Sequence, residues 1–238
     1  MYKYETHSHC SLCSACGRST PQELIQAYHD AGYSGLVLTD HFFFGNTAVD
    51  RALPWSEFVK AYYDAYLSAK PFAKNLDFDL LFGLEHAYGS GKELLLYGID
   101  LEFLLDNPDI PKISVDELVK RVHDYGGIVI QAHPYRDRDY IDMSVGPRTD
   151  IVDGVEIFNA CNEPKDNKLA FDKLGKKDFI YTCGGDVHSH TQTDKFSGIA
   201  LPYRVRNEKE FVKALKTKDH SYIINDKIVD EIDEEILL

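Results

Sequence analysis

The stretch Tyr2-Lys3-Tyr4-Glu5-Thr6-His7-Ser8-His9 opens the chain and predicts a first strand that ends in two histidines. Residues i and i+2 of a strand point to the same face, so the imidazoles of His7 and His9 leave the strand end in one direction. Two histidines aimed together indicate a metal site. Because such pairs also occur on many exposed strand ends, the interpretation depends on the rest of the chain.

The composition indicates a soluble globular protein. The chain has 238 residues, 44% of them hydrophobic and 27% charged, which suits one α/β domain over residues 1–238 with a loosely held acidic tail from about residue 226. No apolar run has the length of a membrane span, and the N-terminus does not have the pattern of a signal peptide, so we expect a cytoplasmic protein. A net charge of −13 argues against a nucleic-acid polymer as partner. The oligomeric state is open.

Three of the five cysteines, Cys10, Cys13 and Cys16, lie close together near the N-terminus. An odd number of cysteines in this distribution is a poor disulfide framework, which predicts reduced thiols. The C-x₂-C-x₂-C spacing also matches a ferredoxin-type iron–sulfur run, although Thr20 stands where the fourth cysteine would be. The alternatives are therefore an iron–sulfur cluster and a thiol-rich loop of an active site.

Apolar runs predict about seven strands with helices between them. The strands are expected at residues 2–6, 35–39, 78–84, 93–99, 127–131, 154–158 and 179–183, and the helices at 21–31, 56–73, 114–126, 166–175 and 208–216. This alternation, with short links and no internal repeat, favours a single parallel α/β domain.

Polar residues follow the carboxyl ends of these predicted strands. The residues are His7 and His9, Asp40 and His41, Glu85, His133, and Asp186 and His188. In a parallel β/α barrel the carboxyl ends of the strands meet on one face, where catalytic residues collect. The sequence therefore predicts that these separate motifs form one site.

The ordered set of motifs resembles the PHP (polymerase and histidinol phosphatase) domain family. The motifs are His-Ser-His at 7–9, Thr39-Asp40-His41, Gly83-Leu84-Glu85, His133-Pro134 and Gly185-Asp186-Val187-His188. The resemblance implies a distorted, TIM-like parallel (β/α)7 barrel and a metal-dependent phosphoesterase. It covers most of the chain.

The resemblance also implies the metal ligands. One ion is assigned to His7, His9, Glu85 and Asp186, a second to Glu85 and His133, and a third to His41 and His188. Zinc, manganese or iron suits such nitrogen and oxygen donors, so we expect two or three divalent ions. Glu93 stands where the family often has histidine; it is either a ligand of the second ion or an exposed carboxylate at a strand start. The cysteine loop occupies the place of a further ligand, which Cys16 would have to supply.

Further residues are candidates for contact with a phosphate. Arg136 and Arg18 are expected to bind phosphate oxygens. Asp40 would orient or polarise ligands, and either His190 or Asp40 would assist the leaving group.

The expected activity is hydrolysis of a small phosphate ester, such as a phosphorylated metabolite, nucleotide or phosphopeptide, by a hydroxide that bridges two ions. An amidohydrolase-like hydrolase of C–N bonds is one alternative. A non-catalytic metal-binding PHP module is the other.

Overall fold

The computed structural model describes residues 1–237. Its strands, in chain order, are β1 Tyr2–Ser8, β2 Gly35–Leu38, β3 Asp79–Gly89, β4 Lys92–Tyr97, β5 Ile128–Gln131, β6 Gly154–Asn159, β7 Ile180–Gly184, β8 Gly198–Leu201, β9 Ser221–Ile224 and β10 Lys227–Val229. Its α-helices are α1 Pro21–Asp30, α2 Trp55–Asn75, α3 Leu101–Asp106, α4 Val115–Tyr125, α5 Pro164–Leu174 and α6 Glu208–Thr217, with short 3₁₀ turns at Ile110–Lys112 and Thr193–Lys195.

The strands form one sheet in the order β10-β9-β8-β1-β2-β3-β4-β5-β6-β7. Pairing is parallel from β1 to β3 and from β5 to β7, and antiparallel at β4 and from β8 to β10. The sheet curls until the end of β7 meets β1, where Asp186 N donates to His7 O at 2.8 Å and His9 N donates to Val187 O at 2.9 Å. These bonds place the two strand ends that carry histidines and Asp186 side by side.

The predicted parallel (β/α)7 barrel is thus corrected to a mixed, curled sheet of ten strands in the described part of the chain. The main cause is the link between β3 and β4, which consists of Ser90 and Gly91 alone. Parallel strands need a crossover of a dozen or more residues, whereas two residues suffice for a hairpin. Both linking residues have positive φ, 55° and 71°, as tight hairpin turns require. β4 therefore runs against both of its neighbours.

Local signals place the helices close to their predicted positions. Thr20 and Glu23 form a capping box at the start of α1, with Pro21 in its first turn. At α4, Ser114 Oγ accepts a hydrogen bond from Glu117 N at 3.2 Å, as the S-x-x-E pattern predicts. These caps satisfy backbone N–H groups that have no partner within their helices.

A buried apolar cluster fills the curl of the sheet beneath the site. Its members include Tyr4, Val37, Leu81, Leu95, Tyr97, Ile130, Phe211 and Leu215. Helix α6 closes this end, where Phe211 packs against the rings of Tyr4 and Tyr97 at centroid distances of 6.4 and 5.5 Å. A second layer of apolar residues lies between the sheet and helices α1, α2 and α4. The strands that carry the site are therefore packed against apolar residues on both faces of the sheet.

The acidic tail contacts the rest of the chain through its apolar residues. Residues 227–229 form β10, and Leu237 is only 2% exposed within a cluster that includes Val155 and Leu174. Ile232 and Ile236, which each follow an acidic residue, are half-buried against the same cluster. Leu238, the last residue of the predicted tail, lies outside the described residues. Across residues 1–237 no helix has the length and apolar character that a bilayer span requires.

Candidate metal centre

The polar residues predicted at strand ends come together on one edge of the sheet. His7 is on β1 and His9 directly follows it, His41 follows β2, Glu85 is on β3, His133 follows β5, and Asp186 and His188 follow β7. Glu93 joins them from the start of β4, because an antiparallel strand brings its amino end to this edge. Its side chain is 12% exposed, so the reading of Glu93 as an exposed carboxylate is wrong.

Glu85 lies at the centre of the cluster and is fully buried. Its Oε1 is 3.2 Å from His7 Nε2 and 3.1 Å from His133 Nε2. Its Oε2 is 2.7 Å from His41 Nδ1 and 3.6 Å from His9 Nε2. Because each oxygen faces a different pair of imidazoles, this carboxylate could supply one oxygen to each of two ions.

The remaining carboxylates complete the cluster. Asp186 Oδ1 is 3.1 Å from His9 Nε2 and 3.6 Å from His7 Nε2. Glu93 lies 3.4 Å from His41 Nδ1 and 3.5 Å from His133 Nε2. The donors form four overlapping groups whose ligand atoms lie within 4.8 Å of one another: His7, His9, Glu85; His7, His133, Asp186; His41, Glu85, Glu93; and His9, His41, His188.

The donor set fits divalent ions. His41 Nδ1 and Glu85 Oε2 are buried and close, yet they are not aligned as a hydrogen bond and have no other partner among the described residues. The Nε2 atoms of His7 and His9 face each other at 3.1 Å. Imidazole nitrogens and carboxylate oxygens that converge without bonding partners of their own are suited to a shared cation.

The charges of the cluster are strongly coupled. Burial lowers the pKa of His7, but the carboxylates of Glu156 and Asp186 outweigh burial and hold this pKa well above its usual value. Burial raises the pKa of Glu85, but His7 and His41 outweigh it and hold this pKa well below its usual range. Metal ligands must release their protons. An ion that binds here would therefore replace the protonated imidazoles as the positive charge beside these carboxylates.

Glu156, on β6, holds His7 and His133 in place and was not predicted from the sequence. Its Oε1 lies 2.9 Å from His7 Nδ1, and its Oε2 accepts hydrogen bonds at 2.9 Å from His133 N and Asn159 Nδ2. A carboxylate at Nδ1 orients a ligating imidazole and leaves its Nε2 free for the ion. The available signal was a charged residue in the middle of the apolar strand Gly154-Val155-Glu156-Ile157-Phe158.

Asp40 has a similar positioning role on the other side of the cluster. It is buried, and its Oδ1 accepts hydrogen bonds at 2.7 Å from Ser14 Oγ and from Cys10 N. The Ser14 oxygen lies 3.2 Å from His9 Nδ1. Asp40 therefore orients His9 through Ser14. It does not line the cavity beside the cluster, so the structure does not bring it to a leaving group.

Arg136 reaches the cluster, but two of its three guanidinium nitrogens already donate hydrogen bonds within the protein. Nη2 donates to Asp186 Oδ2 at 2.6 Å and to Asn159 Oδ1 at 2.9 Å, and Nε donates to Asn162 Oδ1 at 2.7 Å. Its side chain is about 10% exposed, at the wall of the cavity. These bonds make Arg136 first a support of Asp186, and Nη1 takes no part in them.

His190 and Arg18 are not brought to the cavity. His190 Nδ1 lies 2.8 Å from Ser19 Oγ, and neither His190 nor Arg18 lines the cavity. Arg18 contacts the site region through its backbone N, which donates to His188 O at 2.7 Å. Both residues lie next to the motifs in sequence, but their side chains do not reach the cavity.

The three clustered cysteines do not meet at one point, because Cys10 and Cys13 lie together and Cys16 lies apart from them. Cys10 Sγ donates to Asp40 Oδ2 at 3.1 Å, and Cys13 Sγ donates to Tyr62 O at 3.0 Å. Cys16 instead lines the cavity beside the rings of His188 and His41. Burial raises the pKa of the Cys16 thiol, but these rings outweigh burial and lower this pKa to about 6. This arrangement favours a thiol at the metal centre over an iron–sulfur cluster.

A cavity of about 900 Å³ opens beside the cluster. One side is formed by the metal-facing residues, including His41, Glu85 and His188, and the other side is apolar. Clefts of this size that combine a few polar groups with apolar walls are typical of sites for small molecules.

The chain was compared with protein-family models, with known sequences and with solved structures. No family model matches the sequence. An uncharacterised protein of Methanocaldococcus jannaschii, MJ1587, is 35% identical over 100 residues, which are 40% of this chain and 56% of that protein. The match thus spans little more than half of this relative.

Solved structures match over nearly the whole chain. A two-domain protein from Bacteroides vulgatus that contains a predicted PHP-like metal-dependent phosphoesterase matches with a TM-score of 0.69 at 14% identity, over 95% of this chain and 66% of that one. A candidate metal-dependent phosphoesterase from Bifidobacterium adolescentis matches with a TM-score of 0.55 at 13% identity, over 90% and 96%. An amidohydrolase from Chromobacterium violaceum, solved with sulfate and no metal, matches with a TM-score of 0.53 at 16% identity, over 90% and 96%.

The chain therefore has the fold of the PHP-like metal-dependent phosphoesterases, as its ordered motifs predict. The donor clusters at the edge of its sheet have the composition of a divalent-metal site.

Proposed function

We propose that this chain is a metal-dependent hydrolase that cleaves small phosphate esters at the cluster around Glu85. The observation that carries the proposal is the position of this buried carboxylate, which presents one oxygen to His7 and His133 and the other to His41 and His9. Divalent ions bound at such donors supply Lewis acidity and lower the pKa of bound water.

The charge balance favours a phosphate dianion as the substrate group. Three carboxylates, Glu85, Glu93 and Asp186, face the donor nitrogens. Three divalent ions would bring about six positive charges to this pocket, so a strongly positive site results within an acidic protein. Arg136, at the wall of the cavity, adds a further cation whose Nη1 is free of the bonds that hold the rest of its fork. The proposed site thus matches the charge that develops on phosphoryl oxygens.

The chain's own residues have separate tasks in this proposal. Glu156 and Asp40 hold His7 and His9 in the orientation that aims their Nε2 atoms at the shared centre. Arg136 fixes Asp186 through its Nη2. These contacts pre-organise the donors, which reduces the reorganisation that binding and catalysis would otherwise require.

The direct test is a hydrolysis screen of the purified protein, reconstituted in turn with zinc, manganese and iron. The proposal predicts turnover of phosphate monoesters, with loss of both bound metal and turnover in His7→Ala and Asp186→Ala. Glu117→Gln, which changes the same type of charge on the exposed face of α4, is the matched control and should behave as the wild type. Full metal content and full turnover in both site variants would overturn the proposal.

Hydrolysis of C–N bonds is the second candidate, because the amidohydrolase from Chromobacterium violaceum shares the fold at a TM-score of 0.53. Ions that activate water for attack on phosphorus can also serve attack on a carbonyl carbon. The same screen therefore includes N-acyl amino acids and cyclic amides. Turnover of these compounds without turnover of phosphate esters would select this alternative, and metal binding without either activity would indicate a non-catalytic metal-binding module.

A further inference from the structure

The cavity continues beyond the metal-facing residues into an apolar compartment, here called the aromatic pocket. The residues that define it are Phe44, His86, Tyr88, Ile113 and Val115. Phe44 and His86 meet edge to face at a centroid distance of 6.0 Å. Glu85 and His86 are neighbours on β3 and point to opposite faces of the strand, yet both line this cavity near the strand end.

His86 is a buried polar residue, and one of its ring nitrogens has no hydrogen-bond partner among the described residues. The residue is 5% exposed, and its Nδ1 has no hydrogen-bond partner in residues 1–237. Because this nitrogen is itself buried, a ligand in the open cavity does not reach it, and His86 contributes its ring to the cavity wall. A neutral imidazole offers one donor and one acceptor.

The aromatic pocket carries no positive charge of its own. Of the residues that line the whole cavity, all within the described chain, Arg136 alone is a lysine or arginine, and it is paired with Asp186 on the metal side. A leaving group with a second phosphate or a carboxylate would have no counter-charge there. The chemistry of the walls instead suits an uncharged ring.

The loop that carries Tyr140 is tied to the tip of the β3–β4 hairpin. Asp142 N donates to Ser90 O at 3.0 Å, which ties the hairpin tip to the loop that carries Tyr140. A Cβ at Gly91 would lie 2.8 Å from Tyr140 O, so glycine permits this close approach. Tyr140 also lines the cavity. Tyr140 therefore adds an aromatic side chain on a tethered loop to the lining of the cavity.

We propose that the aromatic pocket binds the leaving group of the substrate, and that this group is an uncharged aromatic or heteroaromatic alcohol. The inference rests on the proposed phosphoesterase function, since it assigns the phosphoryl group to the metal side of the same cavity. In this arrangement the ring packs against Phe44 and Tyr88, beside the ring of His86.

The test measures binding without turnover. Isothermal titration calorimetry of the metal-loaded protein compares benzylphosphonate with methylphosphonate, which carries the phosphoryl group without the ring. We expect benzylphosphonate to bind at least on the order of tenfold more tightly, as burial of one aromatic ring allows. Phe44→Ala should remove most of this difference and leave methylphosphonate binding unchanged. The phenyl ring of Phe44 is 52% exposed, so the protein should fold without it. Tyr203→Ala, an exposed aromatic outside the cavity, is the control.

The outcomes separate the inference from the function on which it rests. Equal binding of the two phosphonates, or a benzyl preference that survives Phe44→Ala, would overturn the aromatic pocket and leave the phosphoesterase proposal intact. Binding of neither phosphonate to the metal-loaded protein would overturn the phosphoesterase proposal and the inference with it.

Discussion

Replacing Glu156 by glutamine tests whether the buried carboxylate on β6 prepares the cluster for metal. The carboxylate accepts from His7 Nδ1 through one oxygen and from His133 N and Asn159 Nδ2 through the other, each at 2.9 Å. The amide of the variant must turn its NH₂ group toward one of these donors. If it faces His7, the ring changes tautomer and places its proton on Nε2, the atom that would bind the ion.

The loss can be estimated from the bonds involved. A hydrogen bond to a charged group contributes about 1.5–3 kcal/mol, and outer-sphere partners of metal ligands change affinity about 10- to 100-fold. We therefore expect the Kd of the ion at His7 to rise about 10- to 100-fold in Glu156→Gln, while the fold is kept. Competition with a fluorescent chelator measures this Kd, with Glu117→Gln as the charge-matched control. A Kd for every bound ion within about twofold of the wild type would refute the reasoning.

Three further changes test other parts of the site. Cys16→Ser should remove the sulfur-to-cobalt charge-transfer absorption of the Co²⁺-loaded protein, whereas the control Cys161→Ser should retain it. Absence of this absorption band in the wild type would contradict a bond between the Cys16 thiolate and the ion. Arg136→Met should destabilise the metal-free protein by about 1.5–3 kcal/mol in denaturant unfolding, because the buried Asp186 loses one of its two charged partners and keeps His7. Bound metal should reduce this loss, and equal losses with and without metal would contradict it. Burial raises the pKa of Glu5 from 4.5 to about 7. The stabilisation by its protonated form is complete below pH 4.5 and is lost as the pH rises through 7, so the wild type should lose on the order of 3 kcal/mol relative to Glu5→Gln over this range; parallel stability curves would contradict it.

The strand-end motifs could be predicted because they depend on local sequence. An apolar run that leads into histidine or aspartate indicates a buried strand with a polar residue at its carboxyl end, and parallel strands bring such ends to one edge. His7, His41 and His133 were placed on this basis, and the structure brings them within reach of Glu85.

The direction of β4 could have been read from its link but was not. A strand that comes after two turn residues must run back along its neighbour, and its first residues then lie where the other strands end. Glu93 reaches the cluster for this reason. The order in which β8, β9 and β10 extend the sheet next to β1 depends on contacts between residues far apart in sequence, which no local pattern reports.

The residues that orient His7 and His9 could not be predicted from local sequence patterns either. Glu156 supports His7 across 149 positions of sequence, and Ser14 links Asp40 to His9 by a turn of the cysteine loop. Such contacts depend on tertiary packing. Only the cost of burying a charge in an apolar strand marks Glu156 in advance.

The most direct test of the proposed metal centre is an anomalous difference map from crystals of the protein, recorded at the absorption edge of the metal that co-purifies with it. The account predicts two or three peaks at about 2.0–2.3 Å from the donor atoms, with one beside each carboxylate oxygen of Glu85. A map without peaks between His7, His41 and His133 after reconstitution, or with metal bound only elsewhere on the chain, would contradict it.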